Sequence, residues 1–314
     1  EMSASLVGSE MCIRDRIETL LNRDLPEEER IPLIEKFRKM YETMDFYVLY
    51  NRFLKKEGYQ TLPRRPLEKR KLRYEDVYPI LYLKYRLSRQ AERSNIKHLV
   101  IDEMQDYSLL QYLIIRRMFS CKMTILGDRA QTMADQQQDV LQFLPGIFGK
   151  DLRRIEMRKS YRNTVEIASY AANLIGVTDL ELFERHGMPV LERDVTDLEA
   201  ALREAVDTLL PDEKTYETAA VIVPDEKTAE RAYLILRGIL AEKDFDCGKR
   251  LSWLNRDSSS FKKGLTVTTF YLAKGLEFDQ VFSIFPKDEK REIMMQAQYI
   301  AATRALHELR VYHI

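Results

Sequence analysis

The stretch HLVIDEMQDYSLLQYLIIRRMFSCKMTILGDRAQ, residues 98–131, decides the fold. Two short runs of β-branched and other apolar residues, HLVID and KMTILGD, flank the amphipathic stretch YSLLQYLIIRRMF, which is typical of a helix. Strands that alternate with helices indicate βαβ units and parallel sheets covered on both faces. The sequence therefore predicts an α/β fold.

The same alternation resumes beyond Asp151. It predicts the helix SYRNTVEIASYAANLI, the strand TAAVIVP, the helix DEKTAERAYLILRGIL, the strands LTVTTF and QVFSIF, the helix EIMMQAQYIAATRAL and the strand ELRVYHI. Two parallel sheets fit this length. Glycine and proline in LPGIFGKD, residues 144–151, predict the hinge between them, and the stretch from Cys247 to Gly264 is predicted to be rich in loops.

Upstream of these strands, the chain is predicted to be helical. Tyr78, Leu81, Tyr82 and Tyr85 recur at the spacing of one helix face. We expect a helical subdomain over residues 17–95, the C-terminal part of a first α/β domain over 96–150 and a second α/β domain over 151–314. Residues 1–16 are expected to be a non-native or disordered leader, because SASLVGSEMCIRDR resembles a translated adaptor or cloning scar; a flexible native terminus is the alternative.

The composition is that of a globular protein in a reducing, cytoplasmic compartment. Of the 314 residues, 45% are hydrophobic and 32% charged, and the 50 basic residues balance the 50 acidic ones. This balance gives no hint of a nucleic-acid partner, although a neutral total can hide a basic groove. The three cysteines lack metal-ligand spacing, and no apolar run is long enough to span a membrane.

Acidic and amide side chains follow the first two predicted strands. In parallel sheets, ligands bind outside the carboxyl ends of the strands. Asp102 at such an end can hold Mg²⁺, and Glu103 can orient or deprotonate an attacking water. Gln131, after the next strand, can sense a γ-phosphate or position water. Solvated acids and an ordinary turn are the alternatives.

Further candidates lie in the second half of the chain. Arg162 follows Tyr161 at a predicted helix start, where Ser160 or Asn163 can cap the helix, and Arg304 lies within a predicted helix. Arginine offers a rigid donor fork for phosphoryl oxygens, although each of the two can equally form a surface salt bridge. In AKGLEF, glycine allows close backbone approach to a ligand and glutamate can accept from a ribose hydroxyl, which makes Gly275 and Glu277 candidates.

The motifs DEMQD, GDRAQ, SYRN, AKGLEF and ATRA follow one another in an order that resembles superfamily 1 motor ATPases of the UvrD type. The resemblance implies two RecA-like domains, the first incomplete here, that clamp ATP in their cleft and move on nucleic acid. The stretches YEDVYPILYLKYRL and LFERHGMPV, and the short interval between Asn163 and Lys274, are similar to the HelD branch of motors that act on RNA polymerase.

Carried over by motif, the resemblance makes Asp102 the Mg²⁺ ligand, Glu103 the catalytic carboxylate and Gln131 the γ-phosphate sensor. It makes Arg162 and Arg304 phosphate-binding fingers. Tyr161 would stack on adenine, and Gly275 and Glu277 would approach the phosphates and ribose. Gln105 and Asp106 would couple the site to neighbouring loops. The implied cofactors are ATP and Mg²⁺, the implied partners are DNA and RNA polymerase, and we expect a monomer without a membrane partner.

The phosphate loop of such motors, GxxxxGK[ST], does not occur in the sequence. Of the 11 glycines, only Gly149 and Gly248 precede a lysine, and neither lies in this pattern. We therefore expect a C-terminal portion whose upstream half carries the loop. Met104 replaces the family's alanine, Thr132–Ala134 replaces an aromatic that stacks on bases, and Tyr271 replaces a histidine.

Three other functions stay open at the level of sequence. The first is a DNA repair helicase of the UvrD type. The second is a non-catalytic module that binds polymerase through the helical segment and the basic cluster RRPLEKRKLR, residues 64–73. The third is a metal nuclease that uses Asp102, Glu103 and Asp106.

Overall fold

The structure is a computed structural model. It describes residues 17–18, 22–39, 43, 45–87, 93, 95–128, 131, 140–149, 152–157, 159–177, 181–212, 216–243, 246–258, 263–287 and 292–314. The predicted leader, residues 1–16, therefore lies outside the described residues. The chain divides into two compact units: unit 1 comprises residues 1–129 and 134–153, and unit 2 comprises residues 130–133 and 154–314.

Unit 1 combines helices with a small parallel sheet. Its elements are the helices α1 (Glu27–Lys39), α2 (Phe46–Lys56), α3 (Tyr74–Leu87), α4 (Leu109–Met118) and α5 (Val140–Phe148), and the strands β1 (His98–Ile101) and β2 (Lys122–Ile125). The strands β1 and β2 pair in parallel with His98 opposite Lys122. The predicted strand–helix–strand order of residues 98–131 is therefore confirmed.

The helical part of unit 1 has a core of its own, built from Tyr47, Tyr50, Leu54 and Leu62. Part of the basic cluster at residues 64–73 serves this packing. The guanidinium of Arg70 donates to both carboxylate oxygens of Asp45 at 2.9 and 2.6 Å and lies 4.5 Å from the Tyr47 ring centroid. Because Asp45 also caps α2, Arg70 ties the cluster to the start of that helix.

The helix α4 begins with a reciprocal cap. The Ser108 hydroxyl accepts from the Gln111 backbone, and the Gln111 side chain accepts from the Ser108 backbone, which is a capping box. The helix then packs its Tyr112 against the strand residue Ile101 and against Val140 and Leu144 of α5. These contacts bring one face of the small sheet against helices.

Unit 2 contains a six-stranded parallel sheet of order β5-β10-β9-β6-β8-β7 and a separate pair, β3-β4. The strands are β3 (Lys159–Ser160), β4 (Glu181–Leu182), β5 (Leu191–Asp194), β6 (Thr218–Val223), β7 (Leu251–Trp253), β8 (Gly264–Thr269), β9 (Phe278–Phe285) and β10 (Ala305–His313). The helices are α6 (Val165–Leu174), α7 (Leu198–Asp212), α8 (Glu226–Ala241), α9 (Cys247–Arg250) and α10 (Glu292–Ala302).

Helices cover this sheet on both faces. Successive residues of a strand point to opposite faces, and in β6 Val221 joins one core cluster while Ile222 joins the other. The first cluster includes residues of α7 and α8, and the second includes residues of α6 and α10. The α/β fold class with parallel sheets is therefore confirmed. No helix among the described residues is long and apolar enough to cross a membrane.

The expected burial of sheets on both faces is wrong for unit 1. In β1, Ile101 is buried, whereas the alternate residue Val100 is 61% exposed. The physical reason is that the described helices α4 and α5 pack on the face that carries Ile101. The opposite face of this pair of strands lies open within the described part of unit 1.

Three local predictions are also corrected. The hinge predicted at residues 144–151 begins inside α5, which continues through Pro145 because Val140 and Leu144 are buried in the core. The loop predicted from Cys247 to Gly264 contains the short helix α9 and the strand β7, which pairs with β8. The helix predicted to contain Arg304 ends at Ala302.

Candidate nucleotide site

The acidic residues of DEMQD lie at the carboxyl end of β1. The strand ends at Ile101, whose carbonyl accepts from the Leu126 backbone at 2.8 Å, and the Leu126 carbonyl accepts from the Met104 backbone at 2.8 Å. These two bonds join the ends of β1 and β2 beyond the last paired residues. Asp102 is exposed and Glu103 is half-buried at this end of the sheet.

The backbone of Glu103 has an unusual conformation. Its φ of 50° and ψ of 52° lie in the left-handed region, which costs a non-glycine residue roughly 1–2 kcal/mol. The Asp102 carboxylate accepts from the Glu103 backbone N–H at 2.8 Å, which offsets part of this cost. Such outliers cluster at functional sites, because the surrounding structure must hold them in place.

The carboxylate oxygens at this end of the sheet can supply part of the ligands of a magnesium ion. Mg²⁺ is bound by one or two carboxylates together with substrate phosphates and water, rather than by a cage of protein ligands. The exposed carboxylate of Asp102 is a suitable oxygen donor for such a site. Within the described ranges no group of three or more His, Cys, Asp or Glu residues can hold a metal ion.

Gln131 contacts Arg304, and both residues belong to unit 2. The side-chain oxygen of Gln131 accepts from Arg304 Nη2 at 3.5 Å. Arg304 is only 2% exposed and follows the end of α10. Its guanidinium also donates to the Ile300 carbonyl at 3.2 Å, the Leu276 carbonyl at 3.3 Å and the Thr303 hydroxyl at 3.1 Å. Arg304 therefore ties the end of α10 to the AKGLEF turn.

Arg162 forms an ion pair with Glu277. Arg162 Nε lies 2.5 Å from Glu277 Oε1, and the side chains are 48% and 41% exposed. Exposed ion pairs contribute little to stability, so the two groups can separate at small cost when a charged ligand competes. The structure thus brings together two residues that the sequence assigns to different parts of a nucleotide.

The helix cap predicted beside Arg162 is wrong. The helix α6 begins at Val165, and the Thr164 hydroxyl caps it by accepting from the Ile167 backbone at 3.4 Å. Ser160 lies in β3. The Asn163 side chain instead donates to the carbonyls of Thr303 and Ala305, at 3.2 and 2.6 Å. Asn163 therefore holds the SYRN loop against the segment around Arg304.

Tyr161 forms part of an exposed aromatic pair. Its ring is 60% exposed and lies 5.7 Å from the ring of Phe183, at an interplanar angle of 38°. The Lys159 ammonium lies 5.5 and 5.8 Å from the two ring centroids. A planar base can stack on such a surface, since aromatic rings offer an apolar face at the edge of solvent.

Gly275 has the backbone conformation that glycine permits. Its φ is 82°, and a Cβ at this position would meet no atom within 4 Å. The turn therefore requires glycine for its backbone and leaves open space beside it. This arrangement fits the expected approach of a ligand to the backbone.

The sequence did not indicate Arg185, which holds the SYRN loop from the other side. Arg185 Nη2 donates to the carbonyls of Arg162 and Leu306, the latter at 2.7 Å. Arg185 lies in LFERHGMPV, a stretch noted above only for its similarity to the HelD branch. That similarity is the signal that could have pointed to Arg185.

Comparisons with known proteins match part of the chain. Residues 2–133 match the family model of the UvrD/REP helicase N-terminal domain. This match supports the UvrD-like part of the resemblance, and it does not distinguish the HelD branch. No match was found among curated proteins.

Several solved structures have limited similarity. The C-terminal domain of a possible DNA helicase from Lactobacillus plantarum WCFS1 is 24% identical, with a TM-score of 0.39 over 49% of this chain and 88% of that one. The PRRSV helicase is 16% identical, with a TM-score of 0.40 over 71% of this chain and 36% of that one. The Arterivirus nonstructural protein 10 helicase, in complex with DNA, is 14% identical, with a TM-score of 0.38 over 71% and 41%.

Proposed function

We propose that this chain is part of an ATP-driven superfamily 1 motor that acts on DNA. The observation that carries the proposal is the pair Asp102 and Glu103 at the end of β1, with Glu103 in a left-handed conformation. The family match over residues 2–133, which includes this pair, supports the same function.

The two carboxylates would have different tasks. Asp102 would hold Mg²⁺, which when bound neutralises charge on the phosphates. Glu103 would accept a hydrogen bond from the attacking water and take up its proton as the water oxygen bonds to the γ-phosphorus and the bond from that phosphorus to the bridging oxygen of the leaving ADP breaks. The half-buried position of Glu103 favours this task, since a carboxylate shielded from bulk water interacts more strongly with a nearby donor.

Residues of unit 2 would bind the nucleotide and sense its phosphates. Arg162 would leave Glu277 to contact a phosphate oxygen, and Glu277 would then accept from a ribose hydroxyl. The bond from Arg304 Nη2 to Gln131 is long, at 3.5 Å, so it would be readily exchanged for a phosphate oxygen. Tyr161 would stack on the adenine, and the turn at Gly275 would lie close to the phosphates.

The proposal requires a phosphate loop from outside these 314 residues, because the pattern GxxxxGK[ST] does not occur among them. The test compares Mg²⁺-dependent ATP hydrolysis by this chain with hydrolysis by the protein extended with its upstream coding sequence. We expect hydrolysis only in the extended protein. Brisk hydrolysis by this chain alone, or none by the extended protein, would refute the proposal.

We further propose a HelD-like role, in which the motor remodels complexes of RNA polymerase and DNA. The motif stretches YEDVYPILYLKYRL and LFERHGMPV support this role over that of a UvrD-type repair helicase. In a duplex-unwinding assay, a repair helicase would separate strands without polymerase. A HelD-like motor would release DNA from polymerase upon ATP hydrolysis and leave free duplexes intact.

A polymerase-binding module without catalysis is the second candidate. The observation in its favour is the exposure of much of the basic cluster, namely Arg64, Arg65, Lys69 and Lys71. Capture of core RNA polymerase by this chain without nucleotide, lost on exchange of these four residues for serine, would favour the module. Capture that requires ATP and the upstream sequence would favour the motor.

A further inference from the structure

The side chain of Gln105 is buried between the ends of β1 and β2. It is 7% exposed, although the neighbouring Asp102 and Asp106 are exposed. Its nitrogen Nε2 donates to Glu103 Oε2 at 2.5 Å, and its oxygen Oε1 accepts from the Asp128 backbone N–H at 3.1 Å. The amide thus links the proposed catalytic carboxylate to the turn after β2.

The orientation of this amide follows from its partners. A backbone N–H can only donate, so the group that faces Asp128 must be the amide oxygen. The nitrogen must then face Glu103, where it donates to a carboxylate oxygen. The hydrogen bond restrains the rotation of the Glu103 side chain and fixes the direction of its carboxylate.

Gly127 provides the space that this amide occupies. A Cβ on Gly127 would lie 2.5 Å from Gln105 Oε1 and 2.7 Å from the Met104 backbone nitrogen, and it would also overlap Met104 Cγ. Even an alanine at position 127 would therefore displace the amide or the backbone next to Glu103.

The backbone around Glu103 has separate supports. The Met104 N–H donates to the Leu126 carbonyl at 2.8 Å, and the Tyr112 hydroxyl donates to the Met104 carbonyl at 3.0 Å. These bonds hold the main chain, whereas the bond from Gln105 acts on the Glu103 carboxylate itself. Loss of the Gln105 amide would therefore remove a restraint on the side chain while the main-chain bonds remain.

We propose that Gln105 is a positioning residue, which holds the Glu103 carboxylate in the direction required for attack by water, with Gly127 as the space that admits it. The inference rests on the proposed ATP hydrolysis. Gln105 contacts neither ATP nor the attacking water in this role, so its loss lowers the rate of hydrolysis rather than the affinity for ATP.

The test uses the protein extended with its upstream sequence. In Gln105→Ala, we expect kcat to fall about 10–100-fold, the usual effect of losing a group that orients a reacting side chain, with KM for ATP changed less than about 2-fold. Gln105→Glu keeps an acceptor for Asp128 and loses the donor to Glu103, so its kcat should fall at least as far. Gln105→Asn keeps the amide but shortens its reach and should be intermediate.

The matched control is Gln111→Ala, which removes a glutamine amide from the cap of α4 and leaves Glu103 untouched. It should leave kcat unchanged even if it lowers the melting temperature. Gly127→Ala should lower kcat as Gln105→Ala does. The double variant should be no slower than the single ones, because both changes remove the same restraint on the Glu103 carboxylate.

The outcomes separate the inference from the proposed function. If Glu103→Gln leaves hydrolysis intact, the proposed function fails. If Glu103→Gln abolishes hydrolysis while folded Gln105→Ala or Gln105→Asn keeps the wild-type kcat, the positioning role of Gln105 is refuted. A rise in KM without a fall in kcat would equally refute it.

Discussion

Arg304 and Arg162 have contrasting surroundings within unit 2. Arg304 is 2% exposed and donates to two backbone carbonyls, whereas Arg162 is half-exposed and pairs with Glu277 at the surface. Replacing a buried donor leaves its acceptors without their hydrogen bonds, which costs about 1–3 kcal/mol for each group. An exposed ion pair contributes at most about 1 kcal/mol.

We therefore predict that Arg304→Met lowers the free energy of unfolding of this chain by roughly 2–4 kcal/mol. Arg162→Met, the matched control, should change it by less than about 1 kcal/mol. Urea denaturation followed by circular dichroism measures both. Equal losses in the two variants would contradict the assigned role of Arg304 in holding the end of α10.

Two glycines with left-handed backbones differ in the space around them. At Gly264, where φ is 109°, a Cβ would lie 2.9 Å from Arg250 Cα and would overlap the Arg250 carbonyl oxygen. At Gly275, where φ is 82°, a Cβ would meet no atom within 4 Å. An alanine at either position would be strained, but only the one at 264 would also clash with backbone.

Gly264→Ala should therefore destabilise unit 2 by about 3 kcal/mol or more, from strain and overpacking together. Gly275→Ala should cost only the strain, about 1–2 kcal/mol. Thermal melts of the two variants provide the comparison. A Gly275→Ala variant that is the less stable of the two would show that the open space beside this turn is filled.

For single residues, the sequence predicts the position in a strand or loop better than it predicts the contacts of the side chain. The positions of Asp102 and Glu103 at a strand end follow from the apolar run before them. The pairing of Arg162 with Glu277 and the burial of Arg304 depend on β9, β10 and α10 coming together, which no local pattern specifies. Arg185 acts through one backbone carbonyl of the SYRN loop, so its residue type alone carries no sign of that contact.

The helix α6 is joined to the segment after β4 by Glu166. One carboxylate oxygen contacts His186 Nδ1 at 2.9 Å, and the other accepts from the Gly187 backbone N–H at 2.8 Å. These hydrogen bonds, first that of His186 and then that of Gly187, lower the pKa of Glu166 from 4.5 to about 2. The same segment carries Arg185, so Glu166 supports the SYRN loop indirectly.

A carboxylate with a lowered pKa stabilises the folded state above its ordinary pKa, and this contribution is lost as the pH falls toward the folded-state value. The unfolding free energy of the wild type should therefore exceed that of Glu166→Gln at neutral pH. The difference should shrink as the pH falls from 4.5 toward 2. Urea denaturation of both proteins at a series of pH values measures it. A difference that does not depend on pH would contradict the assigned contacts.

Elements with a regular apolar pattern were predictable, and two short strands without such a pattern were not. The runs TAAVIV and GLTVTT are buried strands, as their β-branched and apolar residues indicate. The strands β5 and β7 have only 4 and 3 residues, so their pairing with β10 and β8 determines them rather than their own pattern. The helix α7 was missed although it carries a helical signal: the spacing of Leu198, Ala201, Leu202, Ala205, Val206 and Leu209, all buried.

The overall composition of the chain says less about its function than its individual motifs do. The net charge of zero gives no indication of a DNA partner. Five ordered motifs distributed over the two units resemble those of superfamily 1 motors, and the family match covers the first two of them. The proposed function therefore depends on the motifs acting together in one ATP site, whereas each motif alone also fits an ordinary structural role.

Glu103 provides the most direct test of that function. In the protein extended with its upstream sequence, we predict that Glu103→Gln lowers kcat for ATP hydrolysis by about 10²–10⁴-fold, because it removes the group that takes up the proton of the attacking water. The affinity for a fluorescent ATP analogue should stay unchanged, because the amide keeps the size of the carboxylate. Hydrolysis at the wild-type rate by folded Glu103→Gln would contradict the account.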